Sequence, residues 1–240
     1  MSYEQIEEEI SYILKKYWKG RSYEHKGEKR TANPRVISLD LETSPIKDTD
    51  FLTNERILAI AVARRLSGSL MSADGVEIRS YILNEDSDVG EYKLLESFNN
   101  ELTPEPLAVI GYGIRDYDLP LLSIKMKRYD PSVLKNIPNL RTLWHIVNTL
   151  ERAIPLDLMI RLRLKLNVSK FDDVIKHKKF AMLPIRKVKC PALPEGVSKG
   201  KYMYNLWKEN QEELRKLVEA HAYNVLLKGD SISSKSLNGD

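Results

Sequence analysis

A chain of 240 residues, 42% hydrophobic and 30% charged, has room for one substantial α/β domain with an appendage but not for two full domains. No apolar run approaches the ~18 residues of a membrane span, and the single cysteine, Cys190, excludes both an intramolecular disulfide and a cysteine-based zinc cluster. A net charge of +4 is mildly basic; it suits a nucleic-acid partner without requiring one.

The first residues, Met-Ser-Tyr-Glu-Gln-Ile-Glu-Glu-Glu, are acidic where a secretory signal is basic and then apolar, so a cytoplasmic location is expected. Ile6, Ile10, Ile13, Leu14, Tyr17 and Trp18 recur at helical spacing, which predicts an amphipathic helix over 3–18 that could dock a protein partner. The basic, aperiodic stretch from Lys19 to Asn33 reads as a linker, so 1–33 is expected to precede a domain spanning 34–230. Val36-Ile37-Ser38-Leu39-Asp40 opens a buried strand. Ile57 to Ala63 and Ile78 to Leu83 continue it as an antiparallel meander, a helix lies around Tyr92 to Asn100, and Leu107 to Tyr112 returns as a strand into the sheet centre. The order is βββαβ.

Beyond Pro120 the pattern is helical: Leu121 to Tyr129, Leu143 to Ala153, Leu158 to Leu164 and Lys170 to Phe180. Pro184 to Lys201 reads as a loop, and Tyr202 to about Leu227 as a helix with a break near Asn210. The polar segment 231–240 is expected to be disordered. Between Arg161 and Lys189 ten basic residues, Lys178, Lys179 and Lys187 among them, face only Asp172 and Asp173, which makes a candidate phosphate-tracking surface. A solvated helix face explains such a run equally well.

Two segments carry chemistry. Asp40-Leu41-Glu42-Thr43 ends the first strand, and residues two apart on a strand share a face, so Asp40 and Glu42 project together. A half-buried carboxylate pair is costly unless compensated, and hard divalent cations favour such oxygens. The second segment, Ile110-Gly111-Tyr112-Gly113-Ile114-Arg115-Asp116-Tyr117-Asp118-Leu119-Pro120, runs from a strand through a glycine-containing turn and sets Asp118 at a helix start. An aspartate there is most often an N-cap.

Taken together, an apolar strand ending in Asp-x-Glu-Thr, the βββαβ order and Tyr-Asp-Leu-Pro opening a helix resemble the DEDD superfamily of 3′→5′ exonucleases. The likeness runs from Arg35 to Leu227 and is nearest to the proofreading domains of family-B DNA polymerases and their stand-alone relatives. It implies an α/β, ribonuclease-H-like fold with a mixed central sheet flanked by helices. It further implies two Mg²⁺ or Mn²⁺ ions held by Asp40, Glu42 and Asp118. Leu41 and Thr43 stand where the family meets the terminal nucleotide, Tyr117 replaces a usual phenylalanine and Gly113 a usual asparagine. Asp157 and Asp172 match positions that are commonly structural and are read as caps.

The third motif departs from the pattern. The family carries Tyr-x-x-x-Asp or a histidine variant on its last helix; here Ala220 and Asn224 fill the tyrosine and aspartate positions. An asparagine offers a carbonyl oxygen but removes one negative charge from a site that balances two divalent ions. His221 and Tyr223 are the remaining candidates to handle the attacking water, His221 lying about 100° round the helix from Ala220. Asn224 is either a natural attenuation or an introduced replacement of an aspartate, and the sequence leaves both open. The resemblance implies 3′→5′ removal of nucleotides, with single-stranded DNA as the favoured substrate and RNA open. The alternative is an attenuated, nuclease-derived nucleic-acid-binding subunit of a replication, repair or processing complex.

Overall fold

In the computed structural model, which describes residues 21–25, 28–32, 35–45, 54–66, 75–102, 107–128, 141–159 and 193–237, the apolar stretches become the strands of one central sheet. Strand β3 (Arg35–Pro45) pairs antiparallel with β4 (Glu55–Arg65), which pairs antiparallel with β5 (Val76–Ile82). On its other side β3 runs parallel to β6 (Leu107–Gly111), and β6 runs parallel to β7 (Ile154–Asp157), giving the order β5-β4-β3-β6-β7. Every residue from Ile57 to Ala63 is buried. A continuous apolar run of this kind, rather than alternation, is what a strand covered on both faces requires.

Helix α1 (Asp88–Asn99) starts at Ser87, whose hydroxyl accepts from the Gly90 N–H at 3.0 Å, and buries Tyr92, Leu94, Leu95 and Phe98. Helices α2 (Asp118–Arg128) and α3 (Arg141–Arg152) pack against each other, with Leu121, Leu122, Ile146 and Leu150 in the core. Helix α4 (Lys199–Glu209) abuts β3, and α5 (Gln211–Leu237) crosses β3, β4 and β5. Leu214, Leu217, Val218, Ala222 and Leu226 form the buried stripe of α5 at helical spacing. The result is the mixed α/β, ribonuclease-H-like arrangement expected from the strand order.

A buried polar clamp ties α1 and α2 to β4. Glu91 is fully buried; its Oε1 accepts from the Ile57 N–H at 2.7 Å and pairs with Lys125 Nζ at 2.6 Å, while Oε2 accepts from Arg56 Nη1 at 3.1 Å. Arg56 also reaches Asp88 at 2.8 Å and Asp86 at 3.1 Å, and Lys125 donates to the Glu55 carbonyl. Every charge in this cluster has an opposite partner, the condition under which buried ions are tolerated.

Three local expectations change. The stretch read as a linker contains a two-stranded antiparallel ribbon, β1 (Arg21–His25) and β2 (Glu28–Ala32); five-residue polar strands carry no apolar alternation to announce them. Strand β7 was not foreseen, because Pro155 argues against a strand; β7 pairs only with β6 among the described residues, and a proline is tolerated at such an edge. The segment expected to be disordered from Ser231 is helical as far as Leu237, since a helix already fixed by its buried face gains a hydrogen bond with each residue it adds. The helices expected over 3–18 and 170–180, together with Asp172, Lys178, Lys179 and Lys187, lie outside the described residues.

Candidate metal centre and nucleic-acid site

The site is assembled on one face of β3. Ser38 Oγ donates to the Ala222 carbonyl of α5 at 2.6 Å, so the face shared by residues 38, 40 and 42 looks onto that helix. Asp40 and Glu42 follow on this face. His221, next to the clamped Ala222, brings its Nδ1 to 3.5 Å from Asp40 Oδ2 and 3.5 Å from Glu42 Oε1. A register shift between Glu42 and Thr43 then bends the strand, as bulges beside functional sites do.

Helix α4 delivers a cation. Gly200 is pressed so closely to the end of β3 that a Cβ there would sit 2.5 Å from Pro45 Cδ, and this contact brings the neighbouring Lys199 Nζ to 3.1 Å from Glu42 Oε2. Glu42 is 2% exposed, whereas the Lys199 side chain is 63% exposed and reaches in from solvent.

Asp118 stands buried at the first turn of α2. The preceding turn is held by Asp157, whose Oδ1 accepts from the Gly113 N–H at 3.0 Å and the Met159 N–H at 2.8 Å, while Oδ2 accepts from the Arg115 N–H at 3.0 Å. Asp157 thus has the structural role read from the sequence. Gly113 has φ +80°, a conformation that costs a side-chain-bearing residue energy and accounts for glycine at this position. The turn also brings the Tyr117 hydroxyl into hydrogen-bonding contact with Thr43 Oγ1 beside the acidic pair.

The electrostatics are unbalanced. Burial drives the Asp118 carboxyl well above the usual carboxylate range, and repulsion from Asp40 and Glu42 adds to this. Burial likewise raises Asp40 and outweighs the relief given by His221. Burial acts on Glu42 in the same upward direction, yet Lys199 and His221 together hold it below its usual value. The dependence of Asp118 on both other acids puts the three carboxyls in one electrostatic neighbourhood.

Asp40 Oδ2 is buried and accepts no hydrogen bond. Asp40, Glu42 and His221 each offer one ligand atom, all within 4.8 Å of one another. An orphaned carboxylate oxygen beside convergent oxygen and nitrogen donors fits a divalent cation.

Of the other residues singled out from the sequence, Thr43 and Tyr117 meet at the rim of this cluster. Leu41 lies between the two acids but is buried in the core at 6% exposure, on the opposite face by strand alternation. Asn224 is 1% exposed, one turn beyond His221 on α5, and Tyr223 is buried beside it. Lys199 was missed, because an exposed lysine after a proline-rich loop carries no local signal of its partner. The sequence offers His221 as a candidate to handle the attacking water but not as a partner of Asp40 and Glu42; the strand-to-helix clamp at Ser38 sets its position.

No family model matches the chain, and no curated protein matches it in sequence. Among solved structures it is similar to the family B DNA polymerase from the hyperthermophilic archaeon Pyrobaculum calidifontis, with a TM-score of 0.50 and 17% identity over 88% of this chain. The chain spans 25% of that polymerase's length, and at this identity the two share a fold.

Proposed function

We propose that the chain is a metal-dependent 3′→5′ exonuclease acting on nucleic-acid ends, with single-stranded DNA as the favoured substrate, and that it is attenuated at Asn224. The observation that carries this reading is the half-buried Asp40 carboxylate, whose buried Oδ2 lacks a hydrogen bond and which groups with Glu42 and His221. Asp40, Glu42 and Asp118 are the residues that would hold Mg²⁺ or Mn²⁺. Divalent ions held there would supply an activated water and neutralise the charge on the departing oxygen.

The chain's own residues do the rest. Thr43 and Tyr117 present hydroxyls at the rim, where they can bind the sugar and phosphate of the terminal nucleotide. Lys178, Lys179 and Lys187 would follow the phosphates of the incoming strand. Asn224 contributes no charge, so turnover falls while binding persists.

A second reading, a nuclease-derived binding module without turnover, is favoured by one observation: Lys199 already places an ammonium against Glu42, as a bound cation would. The two are separated by incubating the chain with 3′- and 5′-labelled single strands in Mn²⁺, Mg²⁺ or chelator. Ion-dependent loss of the 3′ label first supports the enzyme, whereas retention of both labels with intact strand binding supports the module.

A further inference from the structure

We infer that His221 completes the acidic site as a nitrogen ligand, so that Asp40, Glu42 and His221 form a mixed oxygen and nitrogen centre that takes a borderline transition ion of the Co²⁺ or Zn²⁺ type in preference to Mg²⁺. The inference deepens the nuclease reading and rests on it for the site's purpose, though not for its geometry.

The imidazole is equidistant from the two acids: Nδ1 stands 3.5 Å from an oxygen of each. The three ligand atoms, one from each residue, lie within 4.8 Å of one another and so converge on one point. Mg²⁺ favours oxygen throughout its octahedral shell, whereas an imidazole nitrogen suits a borderline transition ion.

The ring's place is set by the fold. Ala220 and Ala222 on either side of His221 are buried, and the hydrogen bond from Ser38 to the Ala222 carbonyl fixes this turn of α5 to β3. Asp40 Oδ2, one of the two oxygens at 3.5 Å, has no hydrogen bond to give up on binding an ion. Two carboxylates and a neutral imidazole balance the charge of one divalent ion once Lys199, whose Nζ lies 3.1 Å from Glu42 Oε2 and 3.4 Å from its Oε1, gives way. Imidazole ranks borderline transition ions above Mg²⁺, and the Irving–Williams series places Co²⁺ and Zn²⁺ above Mn²⁺.

The test is titration of the full chain with Co²⁺ and with Mg²⁺, separately, for the wild type and His221→Gln. It is read by calorimetry, by visible absorption of bound Co²⁺ and by paramagnetically shifted imidazole proton resonances. The wild type should bind Co²⁺ more tightly than Mg²⁺, with intense visible bands and shifted ring signals. His221→Gln should lose those signals and at least about ten-fold of Co²⁺ affinity, the smallest loss typical even of residues that only support a ligand. Mg²⁺ affinity should hold. If the variant does not fold, the ring signals of the wild type decide alone. Absent ring signals, or Co²⁺ binding no tighter than Mg²⁺ binding, overturn the inference; with Mg²⁺-dependent 3′ release, the nuclease reading survives that failure. Ring signals without 3′ release in any ion support the nitrogen ligand and overturn the nuclease reading.

Discussion

Two clusters of buried charge lie on adjacent strands, and they are finished differently. Around Glu91, each charged group meets an opposite one within 3.1 Å, and the buried glutamate also accepts a backbone N–H. Around Asp40, three carboxyls face one solvent-exposed ammonium and one imidazole, two of the acids are pushed up by burial, and one buried oxygen accepts no hydrogen bond. Burying unbalanced charge works against folding, so the first cluster reads as structure and the second as a place kept for something that binds.

The largest expected effect breaks the balanced cluster. Glu91→Ala leaves Lys125 and Arg56 buried with a partner missing, a loss of about 3–5 kcal/mol. For a chain of this size it should appear as a fall of roughly 6–20 °C in Tm by calorimetry. A smaller fall would move this cluster out of the structural class.

Asn224→Asp tests the proposal that position 224 belongs to the unbalanced cluster. A fourth carboxyl at a position 1% exposed should lower stability in chelator while raising Mn²⁺ affinity by about ten-fold, in keeping with how ligand charge tunes ion binding. Calorimetric titration checks the affinity and label release checks the turnover. Asp40→Ala in the same background should abolish both gains.

The third prediction uses pH. The folded chain holds the Asp118 proton more tightly than the unfolded chain does, so its contribution to stability is complete below the ordinary value of 3.8 and is lost as pH rises through the higher folded value. Denaturant unfolding of the wild type in chelator should therefore include a downward slope from about pH 4 that Asp118→Asn removes. An unchanged slope would place the burden on another group.

The smallest effect is at the exposed cation. Lys199→Gln removes an ammonium that competes with an ion for Glu42, and at a solvent-facing pair this should tighten Mn²⁺ binding by about 0.2–1 kcal/mol.

These clusters were not equally legible in the sequence. Asp40, Glu42 and Asp118 announce themselves because strand alternation and a strand–turn–helix pattern are local, and the βββαβ order follows from apolar runs such as Ile57 to Ala63. Glu91, Arg56 and Lys125 look like ordinary surface charges on amphipathic elements, and only the packing of α1 and α2 onto β4 buries them. Lys199 and His221 reach the acids across more than 150 residues of sequence, through the contact at Gly200 and the clamp at Ser38, so no spacing rule could pair them. Strand β7 was hidden by Pro155, which an edge position tolerates.

The claim that the unbalanced acids are kept for a cation is tested most directly by Tm in chelator and across a Mn²⁺ titration, for the wild type, Asp40→Ala and Lys199→Gln. An ion that binds only the folded chain stabilises it by about 2.7 kcal/mol at one hundred times its Kd. The account predicts a Tm that rises with Mn²⁺ in the wild type, rises at lower Mn²⁺ in Lys199→Gln and stays flat in Asp40→Ala. A wild-type Tm indifferent to Mn²⁺, or one that rises equally in Asp40→Ala, would contradict it.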